Sequence, residues 1–276
     1  MPVSRSLSYY YLVLLPFVGA LLGFTVAPVR STVYVPLWGL NVLLMAGAAW
    51  SLGVHRFGRG TDLQRATGVA AVLLAAPWLL LSLLFGMGPP PSTAAGYAAA
   101  AVEQQLRYAL LIVSGLLLLG GFALLREQLK ASKENLYSLL GQTMLSVALP
   151  LFILNMLYWH SYLVEAFQGF GPTDSRPAWY GPLRSLFRAI SAVEVALLYL
   201  ATVAFAISLR VVGWLSPASS WLYGFFGLLG TVLAVLPASM PEPIVTASFV
   251  VSVPAIPLIM PYLIGIQLLR HLGNDK

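Results

Sequence analysis

Eight stretches of this chain are each apolar enough to cross a bilayer, and together they take up nearly all of its 276 residues. They run Leu7–Ala27, Val33–Val54, Ala66–Phe85, Tyr108–Leu125, Leu136–Trp159, Leu186–Leu209, Ala218–Pro237 and Ile244–Leu269. A hydrocarbon core about 30 Å thick needs about 20 apolar residues of helix. Inside it every backbone polar group must find a partner within the protein, which leaves the helix as the natural spanning form for such runs. The expected fold is therefore all-α, a polytopic integral membrane protein with about eight transmembrane helices in one bundle. Charged residues make up 9% of the chain, against about 25% in soluble domains. No segment between the spans is long enough to build a core, so residues 1–276 read as a single transmembrane domain with no soluble module. The longest connections, Gly86–Gln105 and Ser161–Pro182, read as loops.

Basic residues mark the orientation. With both termini inside, the inner segments carry Arg5, Arg56, Arg59, Arg65, Arg126, Lys130, Lys133, Arg210, Arg270 and Lys276. The outer segments carry Arg30, Arg107, Arg176, Arg184 and Arg188. Lys and Arg favour cytoplasmic loops, so both termini are expected in the cytoplasm. Arg5 is the one charge before the first run, and that run is longer than a signal-peptide core, so the first segment reads as a retained helix. A bacterial inner membrane is the expected location. The formal charge of +6 is spread singly over span ends, with no basic stripe to suit nucleic acid. Aromatics near span ends, Tyr9–Tyr11, Trp38, Trp159, Tyr162, Trp179, Tyr180, Trp214, Trp221 and Tyr223, read as an interfacial anchor belt.

Glu194 is the most informative single residue, because it lies well inside the sixth apolar run. A carboxylate there costs about 2.5–3.5 kcal/mol on insertion scales and must face protein or a wet cavity. It reads either as a proton-coupling or cation-binding group, or as a structural acid paired with a neighbouring helix. Arg188, six positions away, is off its helix face. The last run is the second unusual feature. Pro254, Pro257 and Pro261 fall within eight residues of one another. Each removes a donor and crowds the preceding turn, so the eighth helix is expected to kink or break. Discontinuous helices often border the binding site in transporters. His160 and Glu165 are weaker candidates at the outer end of the fifth run, and with Asn155 they do not share one helix face. Glu103 and Arg107 read as an ordinary i,i+4 pair. Small residues at 47, 48, 53, 115, 120, 121, 227 and 230 read as helix-contact positions. Pro16 with Pro150, and Pro77 with Pro237, hint at two repeated halves.

Several classes are set aside. Lys130, Lys133 and Lys276 all fall outside the runs, so no lysine is placed for a retinal Schiff base. His55, His160 and His271 sit near span ends and cannot form the paired axial ligands of a membrane cytochrome. Cysteine is absent, and two or three scattered donors make no metal site. No cofactor or metal is expected. The leading expectation is a small-molecule or ion transporter or permeation protein, with Glu194 as its ionisable group and the proline-rich segment as a wall of its site. The alternative is a non-catalytic membrane sensor or scaffold. The third is an intramembrane enzyme on a lipid or prenyl substrate, using His160, Glu165 and Arg184. The partners are the lipid bilayer and a small-molecule or ion ligand.

Overall fold

The computed structural model describes residues 3–25, 28–59, 61–91, 93–169, 178–237 and 239–274. Ala27, Ser92, Arg176 and Lys276 lie outside them, as do the other residues of 170–177. Among the described residues every regular element is helical. Eleven α-helices follow one another: α1 Val3–Thr25, α2 Ser31–Leu52, α3 Asp62–Leu81, α4 Ala94–Ala99, α5 Ala101–Ala131, α6 Leu136–Leu157, α7 Leu163–Gly169, α8 Tyr180–Val211, α9 Pro217–Val235, α10 Glu242–Ser252 and α11 Ile259–Asn274. Seven segments are long and apolar enough to cross a membrane: Ser4–Thr25, Ser31–Leu52, Asp62–Gly86, Ala101–Ala131, Leu136–Gly169, Tyr180–Val211 and Pro217–Val235. The chain is a multi-pass helical membrane bundle.

The helices outrun the apolar runs where polar residues supply the ends. α3 starts at Asp62 because Thr61 accepts the Gln64 N–H at 3.3 Å while the Gln64 side chain accepts the Thr61 N–H at 3.0 Å. That reciprocal cap satisfies two orphan donors. α5 begins at Ala101 and carries Glu103 and Arg107 inside its first two turns. Both long connections differ from the loops expected of them. Residues 94–99 form α4, and α6 continues through a π-helical turn, Tyr158–Tyr162, into α7. Tyr97, Leu163, Val164 and Phe167 are buried, with Tyr97 meeting Phe167 edge-on at 5.2 Å. Their apolar side chains make a packed cap over one end of the bundle, which a loop reading of Gly- and Pro-rich sequence overlooks.

α6 sits between α5 and α8, with α9 on the far side of α8 and α3 on the far side of α5. α11 packs along α3 and is buried nearly all round, with Leu258, Tyr262, Ile264, Ile266, Leu268 and Leu269 almost fully enclosed. Gly265 lets it approach so closely that an added Cβ would lie 2.8 Å from the Ala71 carbonyl oxygen. Tyr262 donates to the Leu12 carbonyl at 2.8 Å and so ties α11 to α1. α1 and α2 instead expose Leu21, Leu22, Leu43 and Leu44. Broad apolar exposure of this kind suits contact with lipid rather than water.

Of the small residues expected at contacts, Gly53, Gly115, Gly121, Gly227 and Gly230 touch neighbouring helices closely, and Gly120 makes ordinary contact. Gly47 meets nothing within 4 Å. Pro16, Pro77 and Pro150 lie inside helices, whereas Pro237 follows the end of α9, so the second proline pair is not equivalent.

Candidate functional site

The Ile244–Leu269 run is two helices with a turn between them. α10 stops at Ser252, residues 253–258 turn, and α11 resumes at Ile259. Val253 sits at φ −61° and ψ 124°, the extended conformation that a following proline favours. Pro254 and Pro257 lie in the turn. Pro261 is the third residue of α11, where a missing N–H costs little because the first turn has no partner for it.

The break faces the middle of α8. Glu194 lies about 20 Å along that helix from Tyr180, at 1.5 Å per residue. It is 3% exposed and points into the protein. Together with Ala148, Leu149, Phe152, Val195, Leu198, Pro254 and Pro257 it lines a cavity of about 10 Å³. A space of that size admits a single water. Oε1 of Glu194 accepts from Asn155 Nδ2 at 2.9 Å, and Oε2 is buried with no partner. An unpartnered charged oxygen is expensive in such surroundings, and a single water in the cavity is one partner that would relieve it.

Asn155 belongs to this site and not to His160. Its Oδ1 accepts from Trp159 Nε1 at 3.2 Å. Trp159 stacks on Tyr108 of α5 at 5.9 Å, and its carbonyl accepts from the Tyr97 hydroxyl at 3.1 Å. Trp159 is thus a partly buried bridge between the cap and the site. Asn155 and Trp159 carried one legible signal, their i,i+4 spacing on a single helix. That Asn155 reaches Glu194, 39 residues away, was beyond any local pattern.

The other candidates stand apart. The His160 ring is hydrogen-bonded to Ser161 at 2.7 Å in the π-helical turn. Glu165 and Arg184 are exposed on α7 and α8. No ion pair among the described residues joins His160, Glu165 or Arg184 to one another. No group of three metal-binding side chains occurs among the described residues. Glu103 and Arg107 do pair, at 3.4 Å, with the Arg107 side chain 10% exposed. Beside them Gln104 is fully buried with neither amide atom hydrogen-bonded, a feature the sequence did not flag.

A second buried acid lies against the C-terminal end of α8. Glu134, in the tight turn between α5 and α6, accepts from the backbone N–H groups of Tyr137 at 2.8 Å and Ser138 at 3.2 Å, and from the Ser208 hydroxyl. Burial pushes its carboxyl up, but these hydrogen bonds outweigh burial and hold it below the usual carboxylate range. Every contact it makes is structural.

No family model, no curated protein and no solved structure matches this chain.

Proposed function

We propose that this protein is a small ion-coupled transporter or permeation protein of a cell membrane. In this reading α10 and α11 form a discontinuous eighth crossing, both termini face the cytoplasm, and a bacterial inner membrane is the setting. Glu194 is the group that changes charge as the ion is taken up and released. The observation that carries the reading is the Oε2 oxygen of Glu194, buried and without a partner at the mouth of a helix break. A purely structural acid is expected to have both oxygens engaged, as Glu134 does. Charged groups at bilayer depth usually line ion or substrate routes, and broken helices usually border them.

The small cavity favours a second reading, a membrane sensor or scaffold that conducts nothing. Reconstitution into vesicles enclosing a pH-sensitive dye separates the two. The transporter reading expects the wild-type protein to dissipate an imposed pH gradient, alone or with a co-transported solute, and Glu194→Gln to lower that rate about tenfold or more, a loss of about 1.4 kcal/mol of coupling. Equal rates for the wild type, Glu194→Gln and empty vesicles would move the sensor or scaffold reading to the front.

A further inference from the structure

The ion that Glu194 takes is itself legible in the oxygens around it. Metal cations of the calcium and magnesium kind need six or more oxygen ligands. Among the residues lining the cavity, Glu194 brings the one carboxylate and no other lining side chain carries oxygen. Four of the backbone carbonyls at the helix break, the usual further source, are already engaged, those of Val250, Val251, Val253 and Ile256. The Val250 carbonyl accepts the Val253 N–H at 3.2 Å, Val253 accepts from Ile256 at 2.8 Å, and Ile256 accepts from Ile259 at 3.1 Å. The Val251 carbonyl accepts the Tyr199 hydroxyl at 3.1 Å. The remaining walls are aliphatic, aromatic or proline.

The hydrogen-bond pattern also fixes which oxygen is offered. The indole N–H of Trp159 can only donate, so it holds Oδ1 of Asn155 and turns the amide NH2 toward Glu194. Oε1 of Glu194 therefore has a fixed donor, and Oε2 faces the one-water cavity. Trp159 is in turn held by its stack on Tyr108 and by the Tyr97 bond to its carbonyl. The π-helical turn that begins at Tyr158 follows directly, and such turns are frequent at functional sites. No charged side chain on the elements around α8 competes for the carboxyl. α6 brings Asn155. The hydroxyl of Thr231 on α9 bonds back to Gly227 at 2.8 Å. α10 and α11 bring Pro254 and Pro257 from the turn that joins them, and no titratable group of either lines the cavity.

We propose that the site binds a proton and not a metal cation, that Oε2 of Glu194 is the oxygen that takes it, and that Trp159 and Asn155 are positioning residues that hold it there. The proposal rests on the transport reading for its purpose, but its chemistry is separable. A proton passes from hydronium to the Oε2 lone pair: the hydronium O–H bond breaks and leaves water, an O–H bond forms on Oε2, and the side chain goes from carboxylate to neutral acid. Asn155 and Trp159 exchange no proton, since the lone pairs of the amide and indole nitrogens are delocalised and not basic.

The test is infrared difference spectroscopy of the full chain in lipid nanodiscs, titrated from about pH 4 to about pH 10, the span over which buried carboxyls ionise. The expected result is a protonated-carboxyl C=O band that titrates, vanishes in Glu194→Gln, and is unmoved when sodium replaces choline. Asn155→Leu and Trp159→Phe should shift that band to higher frequency, as the carbonyl loses its donor, while the helical amide bands stay in place. Trp159→Phe keeps an aromatic ring to stack on Tyr108 while removing the indole N–H with its five-membered ring, so it reads the lock and leaves Asn155 and Glu194 in place. A band displaced by sodium, or no titrating band lost in Glu194→Gln, overturns proton binding. A band indifferent to Trp159→Phe overturns the positioning role. A titrating Glu194 band in a protein that moves no protons in vesicles would uphold this proposal and sink the transport reading instead.

Discussion

Two buried acids on one bundle show how surroundings decide what a carboxyl is for. Glu134 has three donors, and it locks the α5–α6 turn onto Ser208 of α8. Its folded pKa lies below the ordinary value. Its stabilising contribution is therefore complete above the unfolded carboxyl's pKa and is lost as pH falls through the folded one. Glu134→Gln should lower stability by about 1–3 kcal/mol at neutral pH, because the amide offers one acceptor atom where the carboxylate offers two. Thermal unfolding in detergent across the acidic range checks this: the gap between the variant and wild type should narrow on acidification. A gap that is constant with pH would remove Glu134 from the account. Glu194 was legible in the sequence because a carboxylate inside an apolar run is costly wherever it faces. Glu134 was not, since an acid between two spans looks solvated until the turn folds it inward. Gln104 was missed for the same reason, an amide at a span end that the folded protein buries fully.

At the scale of the element, three prolines within eight residues set the expectation of a kinked or broken last helix, and α10 ends one residue before the extended Val253. What packs around the break was not readable, because it depends on partners distant in sequence. Tyr199 of α8 reaches across to the Val251 carbonyl, and its ring lies where a Cβ on Gly230 of α9 would come within 2.6 Å. Gly230 thus permits the tyrosine that holds α10 in place. Gly230→Ala should push the ring off Val251, cost about 1–3 kcal/mol through overpacking, and free a carbonyl at the break. Unfolding midpoints, with Tyr199→Phe as the comparison, measure it. If the alanine variant is as stable as the wild type, the ring has another place to go and the α8–α10 tie is not needed. The helix ends were misread by the apolar pattern for a related reason. Capping residues such as Thr61 and Gln64 are polar, and they extend helices past the hydrophobic run that betrays them.

For the molecule as a whole, the class followed from hydropathy because burying a backbone in lipid leaves so few solutions. The order of packing did not follow, and neither did the central place of α11, since apolar residues facing lipid and apolar residues facing protein look alike in sequence. α1 and α2 are more hydrophobic than α11 but stand at the rim. If Glu194 takes up and releases an ion, the cavity beside it must open to water during function rather than stay sealed. The chain has no cysteine, so a single introduced thiol reports without background. Ala148→Cys places one on the cavity wall, and Ala206→Cys places one in fully buried packing on α8. With the protein in vesicles and a membrane-impermeant thiol reagent added to either side, the Ala148 variant should be labelled from at least one side and the Ala206 variant from neither. Two thiols that stay equally unlabelled in the folded protein would contradict the claim.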